Sequence, residues 1–290
     1  MSIAVRLVLM LYATGLNIGA VNANVYEEQT DLRLVSVGGS VTEILFAVGA
    51  TPHIVASDTS SLYPEDAQKL PKVGYYRQLS IEGVLSLEPT KLFAANGAGP
   101  SSVLEQLKSA GVGISVFEQP RTVLGLLSLI KEVGQAAGLQ TNAIVLANKI
   151  EEQLTQLENI IQSADARVVF LMSASDRGLM AAGANTVPNL IMEIAGVENP
   201  YNMIEGFQPV SVESFLAINP THVLIASHRT GGMSAQELCK QAVLKQWAAS
   251  QGCNLRIVDP LLFLGMTPRL PEAVKEFAAF VVPETYAASE

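Results

Sequence analysis

Residues 80–95 read SIEGVLSLEPTKLFAA, and residues 211–226 read SVESFLAINPTHVLIA. Laid side by side without gaps they agree at Ser, Glu, Leu, Pro, Thr and the final Ala, six positions of sixteen. Each copy reads as a helix with Ser80 or Ser211 at its N-cap and Glu82 or Glu213 in its first turn. Pro-Thr ends the helix, and an apolar strand follows. One such unit fits many α/β proteins. Two, at equivalent places in the two halves, imply a duplicated architecture. A weaker echo pairs Val41–Ala50 with Pro188–Val197, each a helix ending in Gly and a small or branched residue.

Working outward from the first copy, strand patterns at Leu34–Val37, His53–Ala56, Lys91–Ala95 and Gly113–Phe117 alternate with helical patterns at Val41–Val48, Ile81–Leu87 and Ser101–Ala110. This rhythm, with short connections, predicts a parallel sheet covered by helices. Val123–Ala137 reads as a helix, and Thr141 to about Gln162 as one continuous helical pattern. The βα rhythm then restarts at Arg167–Met172. The expected fold class is therefore α/β, with two Rossmann-like lobes containing parallel sheets, joined by one long helix. The expected boundaries are 32–138 for the first lobe, 139–164 for the linking helix and 165–287 for the second lobe. Ligands of such sheets bind beyond the carboxyl ends of the strands, here in a cleft between lobes.

The N-terminus reads MSIAVRLVLMLYATGLNIGAVNA. Arg6, an apolar run from Leu7 to about Val21 and the small-x-small pattern Val21-Asn22-Ala23 predict a signal peptide cleaved near Ala23. The alternative is a buried N-terminal helix. No Cys lies near the cleavage site to carry a lipid anchor. The expected product is exported to the periplasm. The chain has 290 residues, a net charge of −9 and 49% hydrophobic residues. The hydrophobic content excludes disorder, and the acidity argues against nucleic-acid binding. Two Cys and three His leave little room for a zinc ribbon or iron–sulfur site. In an oxidising compartment Cys239 and Cys253 are expected to pair, the alternative being two buried thiols.

No Gly-x-Ser-x-Gly elbow, His-Glu-x-x-His or Walker loop occurs, so no enzymatic activity is expected. The chemically unusual stretch is VGYYRQLS, residues 73–80. It places two of seven Tyr side by side with an Arg two positions after the first. In an extended chain, residues i and i+2 point the same way, so Tyr75 and Arg77 are expected to converge. A guanidinium near a phenol favours the phenolate, a hard anionic ligand for Fe(III). The alternative is a pair of ordinary rim residues on a loop.

Five segments carry a family resemblance. They are LVSVGGSVTEILFAVGA (34–50), SSLYPEDAQKLPKVGYYRQLSIEGVLSLEPTKL (60–92), MAAGANTVPNLIMEIAGVENPYN (180–202), GFQPVSVESFLAINPTHVLI (206–225) and VDPLLFLGMTPRLPEAV (258–274). Together they span nearly the whole exported chain. They resemble the periplasmic heme-binding proteins of bacterial heme ABC transporters, a helical-hinge class shared with siderophore and vitamin B12 binders. The LPxVGYxRxLSxEG stretch is the signal for heme.

The resemblance implies heme b as transported ligand, with Tyr75 as its iron ligand and Arg77 bonded to that Tyr. Glu82 and Glu213, one per lobe, are implied to dock on an inner-membrane permease dimer that works with its ATPase. Some family members carry a second-lobe His just after the strand matching Val168–Met172. This chain has Ser173-Ala174-Ser175-Asp176-Arg177 there, so His228, after the strand Val223–Ala226, is the substitute considered. Met180, Phe207 and Met266 are expected to supply apolar contacts, and Arg177 and Arg269 to pair with the propionates. A monomer is expected. The competing reading is the same fold binding a ferric siderophore or cobalamin.

Overall fold

The computed structural model describes residues 32–161, 166–175 and 178–283. The expected leader, residues 1–23, and Arg177 lie outside the described residues. The first lobe runs β1 (Leu34–Val37), α1 (Gly39–Ala47), β2 (Ile54–Ser57), α2 (Glu65–Lys69), β3 (Gly74–Tyr75), β4 (Gln78–Leu79), α3 (Ile81–Leu85), β5 (Lys91–Ala95), α4 (Ser101–Ser109) and β6 (Gly113–Phe117). Two helices follow, α5 (Val123–Ala136) and α6 (Gln140–Leu157). The second lobe runs β7 (Val168–Ser175), β8 (Gly178–Ala182), α7 (Val187–Ala195), β9 (Phe207–Val210), α8 (Val212–Ile218), β10 (His222–Ala226), α9 (Ala235–Cys239), α10 (Ala242–Gln251), β11 (Leu255–Val258), α11 (Pro260–Leu264) and α12 (Leu270–Val281).

The first sheet has the order β2-β1-β5-β6 and is parallel throughout. The second has the order β11-β10-β7-β8-β9. Its β11-β10-β7 half is parallel as expected, but β8 runs antiparallel to β7 and β9 antiparallel to β8. Only two residues separate Ser175 from Gly178, enough for a hairpin and too few for a parallel crossover. The second sheet is therefore mixed.

The two repeat copies are structurally equivalent. Ser80 Oγ accepts the Gly83 N–H at 3.2 Å, and Ser211 Oγ accepts the Ser214 N–H at 3.0 Å. Glu88 and Asn219 end the two helical units with φ of 47° and 48°. Thr90 Oγ1 accepts the Arg33 N–H at 3.0 Å, and Thr221 Oγ1 accepts the Arg167 N–H at 3.0 Å. The repeated Thr thus pins the residue before the first strand of its own lobe.

Alternation along the strands sends side chains to two cores per lobe. Leu34, Phe93, Phe170 and Leu224 enter one core shared by both lobes, built with α1, α5, α6, α7 and α12. Val35, Val37, Leu92 and Ala94 face an outer core under α3 and α4. Val169, Leu171, Val223 and Ile225 face another, with Phe215 and Trp247. A close-packed core that crosses from lobe to lobe resists large hinge rotation. α6 ends at Leu157, about five residues before the helical pattern does. Asn159 takes φ 52° and its N–H bonds the Ile194 carbonyl at 2.8 Å, so the chain leaves the helix to run beside the end of α7. Cys239 and Cys253 are joined in a disulfide that ties α9 to the approach to β11.

Candidate functional site

The carboxyl ends of β1 and β2 are plugged by buried polar groups. Gly38, with φ 98°, turns the chain from β1 into α1 so close to β5 that a Cβ would lie 2.5 Å from that of Ala95. No other residue fits this position. Asp58, fully buried at the end of β2, accepts the N–H groups of Gly38 and Ser60, each at 2.9 Å, and the hydroxyls of Ser60 and Ser61. Thr42 links Ser61 to Ser36, with hydroxyls 2.7 Å apart on each side. Lys72 donates to Ser57 Oγ and the Ala67 carbonyl, each at 2.7 Å. Burial pulls the Lys72 ammonium below its usual range, and the nearby Asp58 opposes this.

From this plug emerges the β3–β4 hairpin. The Val73 N–H bonds the Ser57 carbonyl at 3.0 Å and the Thr59 N–H bonds the Gly74 carbonyl at 2.8 Å. On the other side the Leu79 N–H bonds the Gly99 carbonyl at 2.8 Å, and the Gly99 N–H bonds that of Tyr76 at 2.9 Å. The hairpin is thus clamped between the loops after β2 and β5. Tyr75 stands on it with 44% of its surface exposed.

The register corrects the expected Tyr75–Arg77 convergence. Tyr75 pairs with Gln78, so Tyr76 and Arg77 are the two turn residues and the i, i+2 rule for extended chain does not apply. Arg77 Nε donates to Tyr76 Oη at 2.8 Å, and its guanidinium carbon lies 5.2 Å from the Tyr76 ring centre. The Tyr75 and Tyr76 rings meet edge to face at 4.9 Å. The bond that Arg77 donates to the Tyr76 hydroxyl, and less strongly the nearby Tyr75 phenol, push the Arg77 pKa above its ordinary value.

The segments that follow β1 and β11 bring the two lobes into contact. A Cβ on Gly39 would touch the Leu261 side chain of α11 at 3.4 Å. Glu43 of α1 receives two bonds from Arg269, Nε to Oε2 and Nη2 to Oε1, both 2.9 Å. The side chains are 2% and 10% exposed. The guanidinium also lies 3.7 Å from the ring centre of Tyr63, and 3.7 Å from Asp259. Arg269 is therefore committed to an interlobe pair and is not the free propionate partner expected from sequence. A carboxylate 226 positions away takes its Nε–Nη2 edge. Desolvation pushes the Glu43 carboxyl above its usual range, and Arg269 opposes this.

Two apolar expectations are also corrected. Met266 is 2% exposed within the shared core, because the turn after α11 folds back beneath α12. Phe207 pairs with Ala182, at the end of β8 away from the Ser175–Gly178 turn, and is packed half-buried against the shared core. β9, antiparallel to the reversed β8, runs in the direction of β7, so its start lies away from the carboxyl ends of β7 and β10. Met180 remains at the expected edge. It lines a cavity of about 460 Å³ with Ser173, Ser175, Pro209 and Arg229.

Arg229 was missed in the sequence. It follows His228 in the 3₁₀ turn after β10, and the logic that singled out His228 applied equally to it. His228 is exposed at the surface, and partial desolvation and the neighbouring Arg229 charge lower its pKa below the ordinary imidazole value. Tyr63 and Glu43 carried no sequence signal. Glu82 and Glu213 lie in the first turns of α3 and α8. The backbone N–H of Glu213 and the Ser211 hydroxyl hold the Glu213 carboxyl below its usual range, so it is ionised. Among the described residues no three His, Cys, Asp or Glu side chains cluster to hold a metal ion, and no helix is long and apolar enough to cross a membrane.

This arrangement has known counterparts. The periplasmic heme-binding protein HutB of Vibrio cholerae superposes with a TM-score of 0.80 at 30% identity, covering 87% of this chain and 99% of its own. A periplasmic heme-binding protein from Pseudomonas aeruginosa gives 0.78 at 33%, covering 87% and 93%. The uncharacterized ABC transporter substrate-binding lipoprotein YvrC of Bacillus subtilis is 25% identical over 92% of this chain and 85% of its own. A vitamin B12-binding protein of Vibrio parahaemolyticus is 25% identical over 70% and 74%. The family model for periplasmic binding proteins matches residues 34–260, a span that takes in both sheets and the tyrosine hairpin, and the chain belongs to that family.

Proposed function

We propose that this protein captures heme b between its lobes through a Tyr75 phenolate bond to Fe(III) and delivers it to an ABC permease. The observation that carries the reading is the exposed Tyr75, set on a hairpin clamped to the carboxyl ends of the first sheet. Its edge-to-face neighbour and a turn guanidinium stand beside it. On the second lobe, the cavity lined by Met180 and the exposed Arg229 offers apolar contact and a cation for a propionate in this reading. His228, in the same turn as Arg229, is the candidate second axial ligand in this reading. The fold is that of heme binders 30–33% identical to it.

Hemin titrated into the purified protein is expected to give a saturable Soret shift with a ferric–tyrosinate charge-transfer band. Cobalamin and a ferric siderophore, titrated in parallel, are expected to give none. The second reading, cobalamin or siderophore binding, is favoured by the vitamin B12-binding relatives. A saturable response to either, with none to hemin, makes it the correct one.

The acidic residues support a docking role. Glu82 and Glu213 occupy equivalent first-turn positions in the two lobes, on helices that follow strands reaching the cleft edge. We expect Glu82→Ala with Glu213→Ala to leave hemin affinity within about twofold and to lower uptake by the intact transporter severalfold, since rim charges act mainly on encounter. Unchanged uptake would refute the role. Residues 1–23 act in this scheme as the export signal, and the mature monomer works in the periplasm.

A further inference from the structure

We propose that Asp58 is a positioning residue that fixes the strand carrying Tyr75 to the junction of the two lobes. This rests on the reading of Tyr75 as the iron ligand.

The strand that carries Tyr75 hangs on three consecutive residues at the end of β2. Ser57 donates its N–H to the Pro71 carbonyl and accepts the Val73 N–H, each at 3.0 Å. Thr59 donates its N–H to the Gly74 carbonyl at 2.8 Å. Asp58 lies between these two, fully buried, and its side chain reaches the start of α1 instead of the hairpin. Each carboxyl oxygen receives two donors. Oδ1 accepts the Gly38 N–H at 2.9 Å and the Ser61 hydroxyl at 2.5 Å. Oδ2 accepts the Ser60 N–H at 2.9 Å and the Ser60 hydroxyl.

Gly38 is the N-cap of α1, a helix with no side-chain cap of its own. Further along the same helix, Glu43 takes the two bonds from Arg269 of the second lobe. A second link from Ser61 to Thr42 ends on α1 as well. One buried side chain therefore connects the tyrosine strand to the helix that meets the other lobe. A ligand group must be held within about 0.5 Å of its productive position, which an apolar contact does not demand. Groups that orient a metal ligand from behind matter for that reason. Asp58 touches no ligand of the cleft and acts through the backbone on either side of it.

The test uses the full chain with Asp58→Asn, Tyr75→Phe and both together. An amide keeps the size of the side chain, but it has one acceptor oxygen and turns two N–H groups toward existing donors. The Ser60 and Ser61 hydroxyls can rotate to meet it, and a backbone N–H cannot. Dissociation is read for hemin, by transfer to apomyoglobin, and for metal-free protoporphyrin IX, which has the same ring and propionates and no iron. Asp58→Asn is expected to speed hemin dissociation about threefold to tenfold and to leave that of protoporphyrin within about twofold. In the Tyr75→Phe background it is expected to change hemin dissociation by less than about twofold, because the bond it positions is gone. Equal acceleration of both porphyrins overturns the proposal, since it marks a general loss of cleft shape. An unchanged hemin rate, or effects that multiply in the double variant, overturns it too. Ser61→Ala removes one of the four donors and leaves the carboxylate. It is expected to give the same pattern at about twofold, and it decides by the same criteria if Asp58→Asn does not fold.

Amide hydrogen exchange in the ligand-free protein separates this failure from failure of the heme reading. The Thr59 and Val73 amides, which bond between strip and hairpin, are expected to exchange at least about threefold faster in Asp58→Asn, and to gain more than the amides of α5. No such local gain overturns the positioning role even if hemin binds. Absence of hemin binding by the unaltered protein, with the local gain present, overturns the iron-ligand reading alone.

Discussion

Tyr75→Phe is expected to lose the ferric–tyrosinate charge-transfer band and to bind hemin more than about 100-fold more weakly, close to 3 kcal/mol. The substitution removes one oxygen and nothing else. Its ring can keep the edge-to-face contact with Tyr76, and no described hydrogen bond of the fold uses the Tyr75 hydroxyl. The hairpin is held by backbone bonds to Ser57, Thr59 and Gly99, which the substitution leaves intact. The melting temperature should therefore change by no more than about 2 °C, as for a surface substitution away from packed features. A weakened complex in an equally stable protein assigns the loss to the iron bond. A band and affinity equal to those of the unaltered protein would sink the assignment and direct attention to His228 or to another ligand class.

Much of this molecule could be read before its structure was known, and the parts that could not share a physical cause. The duplicated unit was legible because its signals are local. A Ser cap, a first-turn Glu, a stopping Pro and an apolar strand all lie within sixteen residues, and both copies fold alike down to the Thr90 and Thr221 bonds. The early end of α6 was not legible, because it is set by Ile194 and Ala195 of a later helix that take the N–H groups of Asn159 and Ile161. The hairpin was misread for a different reason. Strands of two residues carry no alternation to measure, and the turn at Tyr76 and Arg77 inverts the side-chain rule for extended chain. Reversal of β8 was missed although residues 173–178 are a polar, Gly-ended stretch: such a run marks a loop after a parallel strand as well as a hairpin turn, and only the two-residue separation of β7 from β8 decides for the hairpin. Arg269 shows the limit most plainly. As a lone cation after a strand it fits a propionate partner, and only the fold brings Glu43 to it.

Arg269→Met is expected to destabilise the protein by about 3–5 kcal/mol near pH 7, read by urea denaturation. The reason lies in what is left behind. Glu43 is 2% exposed and would lose both bonds from its bidentate partner. An unpaired buried carboxylate costs more than the pair was worth. Glu43→Leu with Arg269→Met should therefore recover most of the loss, since replacing both charges removes the stranded one. The dependence on pH has a definite sign. Burial already raises the Glu43 pKa, and removing Arg269, which opposes that rise, raises it further. A folded-state pKa above the unfolded value means the folded chain binds the extra proton, so stability falls as pH rises through that window and recovers as pH falls. The deficit of Arg269→Met should be largest at neutral pH and should shrink on acidification as Glu43 takes a proton. A deficit that grows on acidification, or none at neutral pH, contradicts this. The pair joins α1 of one lobe to the start of α12 of the other, and Tyr63 stacks on its cation. Its loss should also change the cleft. In the double variant, with stability recovered, hemin dissociation is still expected to be faster, because an apolar pair packs but does not fix the angle at which two fork-shaped groups must meet.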